Sequence, residues 1–332
     1  MIKSLECYIC KNKSNILFNS ISDDRYNHDQ QYQLYRCVSC GHCQIYPPIE
    51  NQNLGNLYLR NYGRSSLKVD EIREISKNNI ENKFKKLRNI IKPKVQGQYY
   101  SEAKRKILDY GSGSCQDLLE IELMGKKGTG VEIDSSAIET SKLLGLEVLS
   151  SEVFFASRDE TYEYVQLNQV IEHFPFPKDD LRRIVSKCDT DGNIFIATPN
   201  SDSIWRKLFG IKWINWHVPY HQHHFSKESL KILFNEMGLD IIFFKTRTPI
   251  EWSETQFYVM ILWILRKNSK IAWNSKLDHE KKIYRNRSTL LDNVIRLLRI
   301  VLRINLIIVN IFFDRIGFGD CLIAKVKIGK SK

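Results

Sequence analysis

No stretch of about 18 uncharged apolar residues occurs in the sequence, which excludes a conventional membrane-spanning helix. The start, Met1 to Cys10, lacks the apolar run of a secretory leader, so a reducing, cytoplasmic setting is expected. No internal repeat or low-complexity tract interrupts the 332 residues, a length that suits two domains or one large domain with additions. Apolar content of 42% and charged content of 27% exclude a disordered or fibrous chain. Most of the chain also lacks a charge surplus. Residues 266–332 hold 16 Lys/Arg against 5 Asp/Glu, whereas residues 1–265 hold 34 against 33. The net charge of +12 therefore belongs to a C-terminal piece, as if one region met an anionic surface. The neutral body gives no footing for a nucleic-acid partner.

Eight cysteines are present, and the first four stand as Cys7-x2-Cys10 and Cys37-x2-Cys40. Each x2 turn can aim two sulfurs at one point, so two such turns predict a structural zinc site. Four protein ligands would leave no open position for chemistry. His42 and Cys43 lie close enough in sequence to replace one ligand. Cys115, Cys188 and Cys321 sit among apolar residues and read as core.

Residues 1–50 read as a zinc ribbon ending at Pro47-Pro48, and residues 51–100 as a helical linker with its helix around Leu67 to Ile91. A βα alternation follows over residues 101–247. Strands are expected at Lys106–Tyr110, Gly128–Glu132, Leu146–Leu149, Tyr162–Asn168, Asn193–Thr198 and Leu239–Lys245. Helices are expected at Asp117–Met124, Ser135–Leu144, Asp179–Lys187 and Lys227–Met237, the last closed by Gly238. Alternating short strands and helices predict an α/β fold with a mostly parallel sheet covered on both faces. Residues 248–319 read as a basic helical insertion, with helices at Tyr258–Leu265 and Leu290–Phe313. Residues 320–328 read as a last strand returning to the sheet edge.

The chemistry begins at Asp109-Tyr-Gly111-Ser112-Gly113, where the first strand of the alternation ends and a helix starts. Glycines let the backbone approach a ligand, and a helix N-terminus offers free amides. Glu132 ends the next strand, placed to accept hydrogen bonds from ribose hydroxyls. Asp109 would repel a phosphate but suits a cationic ligand, which favours S-adenosylmethionine (SAM) over NAD. With the later Gln169-Val-Ile-Glu172-His173-Phe-Pro175 segment, the run resembles the class I SAM-dependent methyltransferases. The resemblance covers about residues 100–247 and 320–327. It implies a seven-stranded Rossmann-like sheet whose last strand is antiparallel. It further implies that Asp109, Gly111, Ser112 and Gly113 cradle the methionine part, Glu132 holds the ribose and Ile133 packs on the adenine. Asn168, Gln169 and His173 would close the pocket. Cys115 stands where a third glycine is usual. A cysteine ribbon ahead of this domain is similar to that of bacterial methyltransferases of polysaccharide and deoxysugar biosynthesis. That likeness implies a sugar or glycan acceptor on a nucleotide or lipid carrier, methylated on oxygen or on carbon.

Four of the eight histidines fall at His217, His221, His223 and His224, beside Trp213, Trp216 and Tyr220. In the resembled family a His-x-x-x-Phe-Ser arrangement precedes the next helix, and His221 with Phe225-Ser226 matches it. Methyl transfer to oxygen, or to a carbon beside a ketone, needs a base, and histidine titrates near the working pH. His221, His223 and His217 are the candidates, with His173 as a shaper of the pocket. No acidic residue is adjacent in sequence, so no metal is expected there. The tryptophans could stack on a sugar or simply pack. Ser226, with Ser229 three residues on, reads as a helix cap.

From Asp292 to Asp314, Asp292, Arg296, Arg299, Arg303, Asn310 and Asp314 fall on one helical face. Three mid-helix arginines would cost about 2.5–3.5 kcal/mol each at a bilayer centre, so this helix should not span. Either it packs on the body or on a second copy with the arginine stripe solvated, or residues 281–313 lie peripherally on a membrane. There its arginines, with Lys281, Lys282, Arg285 and Arg287, would meet headgroups. An RNA methyltransferase with a zinc module and a non-catalytic scaffold are the competing functions.

Overall fold

The computed structural model describes residues 4–26, 28–49, 57, 68–81, 103–104, 106–156, 160–266 and 290–329, the side chains of Glu81 and 290–298 excepted. The first sheet begins with β1 (Ser4–Glu6), β2 (Lys13–Ile21), β3 (Tyr32–Cys37) and β4 (Cys43–Tyr46), all antiparallel. The second follows α1 (Val69–Glu81) and contains β5 (Ile107–Tyr110), β6 (Gly128–Val131), β7 (Val148–Leu149), β8 (Tyr162–Asn168) and β9 (Cys188–Pro199), all parallel. It is completed by β11 (Leu239–Arg247) and β12 (Cys321–Ile328), in the order β11-β12-β9-β8-β5-β6-β7 with β12 antiparallel to both neighbours. Between β9 and β11 in sequence, β10 (His223–His224) stays out of this sheet and pairs with β4 of the first, His223 against Gln44 and His224 against Cys43. The expected ribbon is therefore finished by a strand from the body.

Side-chain alternation explains why the seven-stranded sheet is covered on both sides. Ile107, Tyr164, Phe195 and Ile323 point to one face, against Ile72 of α1 and Leu118 and Ile121 of α2 (Gln116–Leu123). Leu108, Val165, Ile194 and Leu322 point to the other. There they meet Leu181 and Ile184 of a later helix, Leu230 and Phe234 of another, and Cys7, Ile9 and Cys40 of the ribbon. Strands buried on both faces in this way read as continuous apolar runs. Full burial of each Leu or Ile contributes about 1.5–3 kcal/mol.

The remaining helices are α3 (Ser135–Leu144), α4 (Ser151–Ala156), α5 (Pro177–Val185), α6 (Ile204–Phe209), α7 (Lys227–Glu236), α8 (Ile250–Ile264) and α9 (Leu290–Arg315). Ser226 caps α7 in a reciprocal box with Ser229, as its sequence predicts. Two expectations need correction here. The helix expected from Tyr258 begins at Ile250, after Pro249, and α4 and α6 were not foreseen. The polar stripe of α9 is not simply solvated: Arg303, Asn310 and Asp314 are paired within the protein and partly or fully buried. Arg303 donates to Glu254, Asn310 is buried against Trp205 and Ser253, and Asp314 accepts from Thr248. Lys281, Lys282, Arg285, Arg287 and most of the 51–100 linker lie outside the described residues. No helix among the described residues is long and apolar enough to cross a membrane.

Candidate functional site

The carboxyl ends of β5, β6, β8 and β9 share one edge of the sheet, the edge where open α/β folds place ligands. At β5 the chain turns through Gly111 and Gly113, both with positive φ, and through Cys115 at φ 61°. Cys115 thus keeps the left-handed geometry that glycine adopts freely, at a cost of about 1–2 kcal/mol. Its thiol is buried in the core beneath the loop. A Cβ at Gly111 would come within 2.5 Å of Val170 Cγ2, and φ is +80° there. We expect Gly111→Ala to lower stability by about 1–3 kcal/mol and to displace the loop, seen as a lower Tm with weakened cofactor binding. An unchanged Tm would show that the loop tolerates a side chain.

Glu132 is the anchor of the edge. One carboxylate oxygen accepts the Gly113 amide at 2.8 Å; the other accepts the amides of Ile133 at 2.8 Å and Asp134 at 3.1 Å. Ile133 beside it is 56% exposed. Asp109 is buried beneath the loop and accepts from Gln166, which also donates to Asp117. Burial, then the nearby Asp117 and Glu132 carboxylates, push the Asp109 carboxyl well above the usual range, against the Gln166 hydrogen bond. Ser112 Oγ and Asn168 Oδ1 are buried with no hydrogen-bond partner among the described residues. Gln169 follows at φ 57°, its side chain donating to Cys321 Sγ. A glycine-rich turn, a fixed carboxylate and two unsatisfied polar atoms on one edge fit the polar parts of a nucleoside cofactor.

The histidine segment closes over the same edge. His173 Nδ1 donates to the Tyr220 carbonyl at 3.0 Å, and the Gln222 amide donates to the Glu172 carbonyl at 3.0 Å. These bonds bring His173, His217 and His221 together. The ring of His221 stands 4.7 Å from that of His173 and 4.8 Å from that of His217. His221 Nδ1 donates to the Asn215 carbonyl at 2.9 Å, so the lone pair of the neutral ring is on Nε2. That nitrogen is 4.0 Å from Glu172 Oε1, whereas Thr198 donates to Glu172 Oε2 at 2.9 Å. Burial raises Glu172 to about 8, against hydrogen bonds from its own amide and Thr198, and holds His217 and His221 well below the usual imidazole value.

An acidic partner for the histidines therefore exists, contrary to expectation, although it is 49 residues away in sequence. The atoms of Glu172, His173 and His221 lie within 4.8 Å of one another. His223 points elsewhere. Its Nδ1 meets His42 Nε2 at 3.0 Å and its Nε2 meets the Pro175 carbonyl at 3.2 Å, inside the ribbon sheet. Trp213 and Trp216 pack edge to face on each other and Trp216 on His224, and Trp213 donates to Asp320. The ribbon supplies one wall that sequence reasoning missed. Asp23 holds the amides of Arg25, Tyr26 and His28, Arg25 donates to the Ile214 carbonyl, and Tyr26 packs on His217 and Tyr220.

Within the ribbon, Cys7 Sγ is 3.6 Å from Cys40 Sγ and Cys10 Sγ is 3.4 Å from Cys37 Sγ. All four sulfurs lie within 4.8 Å of one another. His42 and Cys43 turn away, the first to His223 and the second towards Arg36 and the Gly41 carbonyl.

Residues 72–242 match the family model described as a methyltransferase domain. The chain belongs to that family. It is a SAM-dependent methyltransferase with a mixed seven-stranded α/β sheet. This methyltransferase is 24% identical over 165 residues to a ubiquinone biosynthesis O-methyltransferase of Saccharophagus degradans, across 45% of this chain and 68% of the relative. It is 25% identical over 162 residues to the protein of the same name from Stutzerimonas stutzeri, across 44% and 68%. Among solved structures, it is similar to a SAM-dependent methyltransferase from Archaeoglobus fulgidus, at 21% identity and a TM-score of 0.41, covering 69% of this chain and 88% of that one.

Proposed function

We propose that this methyltransferase methylates a hydroxyl oxygen of a sugar or glycan acceptor in polysaccharide biosynthesis. The observation that carries the reading is the row of His217, His221 and His173 beside Glu172 at the carboxyl edge of the sheet, a cluster of imidazoles next to a carboxyl that can take a hydroxyl proton. The pairing of a cysteine ribbon with this domain supports a sugar over other acceptors. The name O-methyltransferase on both relatives supports oxygen over carbon.

The cofactor supplies an electrophilic methyl group on a sulfonium, which leaves as a neutral thioether. Asp109, Gly111, Ser112, Gly113, Glu132, Ile133, Asn168 and Gln169 form its cradle. His221 Nε2 takes the acceptor hydroxyl proton as the new carbon–oxygen bond forms. The Asn215 carbonyl fixes the tautomer that makes this nitrogen the base. His173 and His217 flank it. Because the acceptor and cofactor meet at one edge, positioning supplies much of the remaining acceleration. The direct test is methyl-labelled SAM with nucleotide sugars and lipid-linked glycans as acceptors. Label on an acceptor oxygen supports the reading; label only in RNA or protein overturns it.

Zinc fits the four cysteines. Tetrahedral Zn–S bonds of about 2.3 Å separate sulfurs by roughly 3.8 Å, near the 3.4 and 3.6 Å spacings of the two pairs. The ion would be structural, and it would also support the site. The Cys40 carbonyl accepts from the Ser226 hydroxyl at the cap of α7, and the ribbon sheet includes His223 and His224. Cys40→Ser should therefore cut bound zinc well below one ion per chain and lower Tm by more than about 5 °C. Elemental analysis with thermal melts would check this, and a metal-free wild-type protein with the same Tm would sink it.

A further inference from the structure

Several polar residues of the two C-terminal helices are turned inward, while Arg299 and Asn305 are exposed. On α8, Ser253 and Gln256 are buried; Gln256 accepts the Ile214 amide at 2.8 Å and donates to the Lys212 carbonyl at 2.9 Å. On α9, Arg303 reaches Glu251 and Glu254, and Asn310 bonds Trp205 and Ser253 at 3.1 and 2.8 Å. The apolar residues divide: Ile250, Val259, Leu262 and Leu306 are buried, and a second set faces out. Ile304, Ile308 and Phe312 are 52%, 61% and 59% exposed, and Trp263 and Ile264 on α8 are 56% and 59% exposed. Their spacing of four residues makes Ile304, Ile308 and Phe312 one continuous stripe along α9. A soluble surface helix has the opposite arrangement. A continuous exposed apolar stripe along α9, with further exposed apolar residues on the packed α8, marks a contact with something apolar.

Charge identifies the occupant. Arg266, Arg299 and Arg315 on or beside these helices are exposed, and the sequence from 266 onward carries 16 basic residues against 5 acidic ones. The acids of α8 that reach α9, Glu251 and Glu254, lie before that region and are engaged by Arg303. An exposed apolar stripe with exposed arginines at the helix ends, Arg266 and Arg315, and an exposed Trp is the chemistry of a headgroup boundary over anionic lipid. The charges on α9 prevent crossing, so the helix lies on the surface.

We propose that the outward apolar stripe of α8 and α9 docks this enzyme on an anionic membrane surface. The inference is independent of the acceptor assignment. Docking would seat the catalytic edge near the lipid, because Gln256 on α8 directly holds the segment that leads into the histidines.

The test is flotation of the full chain with vesicles of phosphatidylcholine containing about one-third phosphatidylglycerol, compared with pure phosphatidylcholine. The expected result is binding to the anionic vesicles only, weakened by salt. The double variant Ile304→Asp/Ile308→Asp should lose at least about tenfold in vesicle affinity. Its Tm and SAM affinity should stay at wild-type values, which separates loss of docking from loss of fold. Absence of binding to anionic vesicles at low salt overturns the proposal, as does equal binding by the variant. Light scattering that shows a dimer, dissolved by the same substitutions without any vesicle binding, also overturns it and gives the stripe to a second copy.

Discussion

Glu132→Ala should weaken SAM binding by roughly 10²-fold, measured by titration calorimetry, with S-adenosylhomocysteine affected alike. Two losses combine. The carboxylate that would accept from the ribose disappears, and the Gly113 amide loses the oxygen that ties the loop to the end of β6. Each charge-assisted hydrogen bond is worth about 1.5 kcal/mol at the lower end of its range, and about 1.4 kcal/mol is tenfold in affinity. The amides of Ile133 and Asp134 lose the same acceptor, so the turn into α3 loosens as well. Glu132→Gln should fall between, because one carbonyl oxygen remains to accept. A dissociation constant within threefold of wild type for the Ala variant would show that the ribose is held elsewhere.

Much of the geometry of this loop and strand end was legible because it is local. Asp109 through Gly113 and the strand end at Glu132 sit within one βαβ unit, where residue type alone dictates turn, strand and helix start. The paired x2 cysteine turns were legible for the same reason. What escaped depends on long-range pairing. Nothing in His223-His224 marks a two-residue strand that stays out of the main sheet and pairs with Gln44 and Cys43. That pairing removes His223 from the histidine row, although it looks equivalent to His221 in sequence. Glu172 and His221 meet only because β8 and the segment after β9 end on the same edge. The α9 stripe is the clearest case. Residue spacing gives the axis of amphipathicity, but not which side faces the protein. Usually the apolar side is inward because water solvates charge. Here Glu251, Glu254, Ser253 and Trp205 supply partners for Arg303 and Asn310, so the polar side can be inward without unpaired charge. Those partners sit on other helices and are invisible to any window of α9.

His221→Ala should lower kcat by about 10²–10⁴-fold with SAM affinity unchanged, the range expected for loss of a positioned general base. The partners of the ring are Asn215, His217, His173 and Glu172, none of them in the Gly111–Gly113 loop. Parallel loss of SAM binding would reassign it to a packing role. The pH profile should carry a second signature. Burial keeps His221 well below the usual imidazole value, so it is neutral across neutral pH but a weaker proton acceptor than a free imidazole. Glu172 is raised to about 8, so its carboxyl is protonated at neutral pH and ionises as pH rises through that value. Ionised Glu172, 4.0 Å from His221 Nε2, would stabilise the imidazolium that forms when the acceptor loses its proton. Turnover should therefore rise as pH increases through about 8. Glu172→Gln should remove that rise and leave the neutral-pH rate within a few-fold, because glutamine imitates the protonated acid and keeps an acceptor for Thr198. A rise that persists in Glu172→Gln would assign the titration to another group, and the acid–base pair would have to be drawn without Glu172.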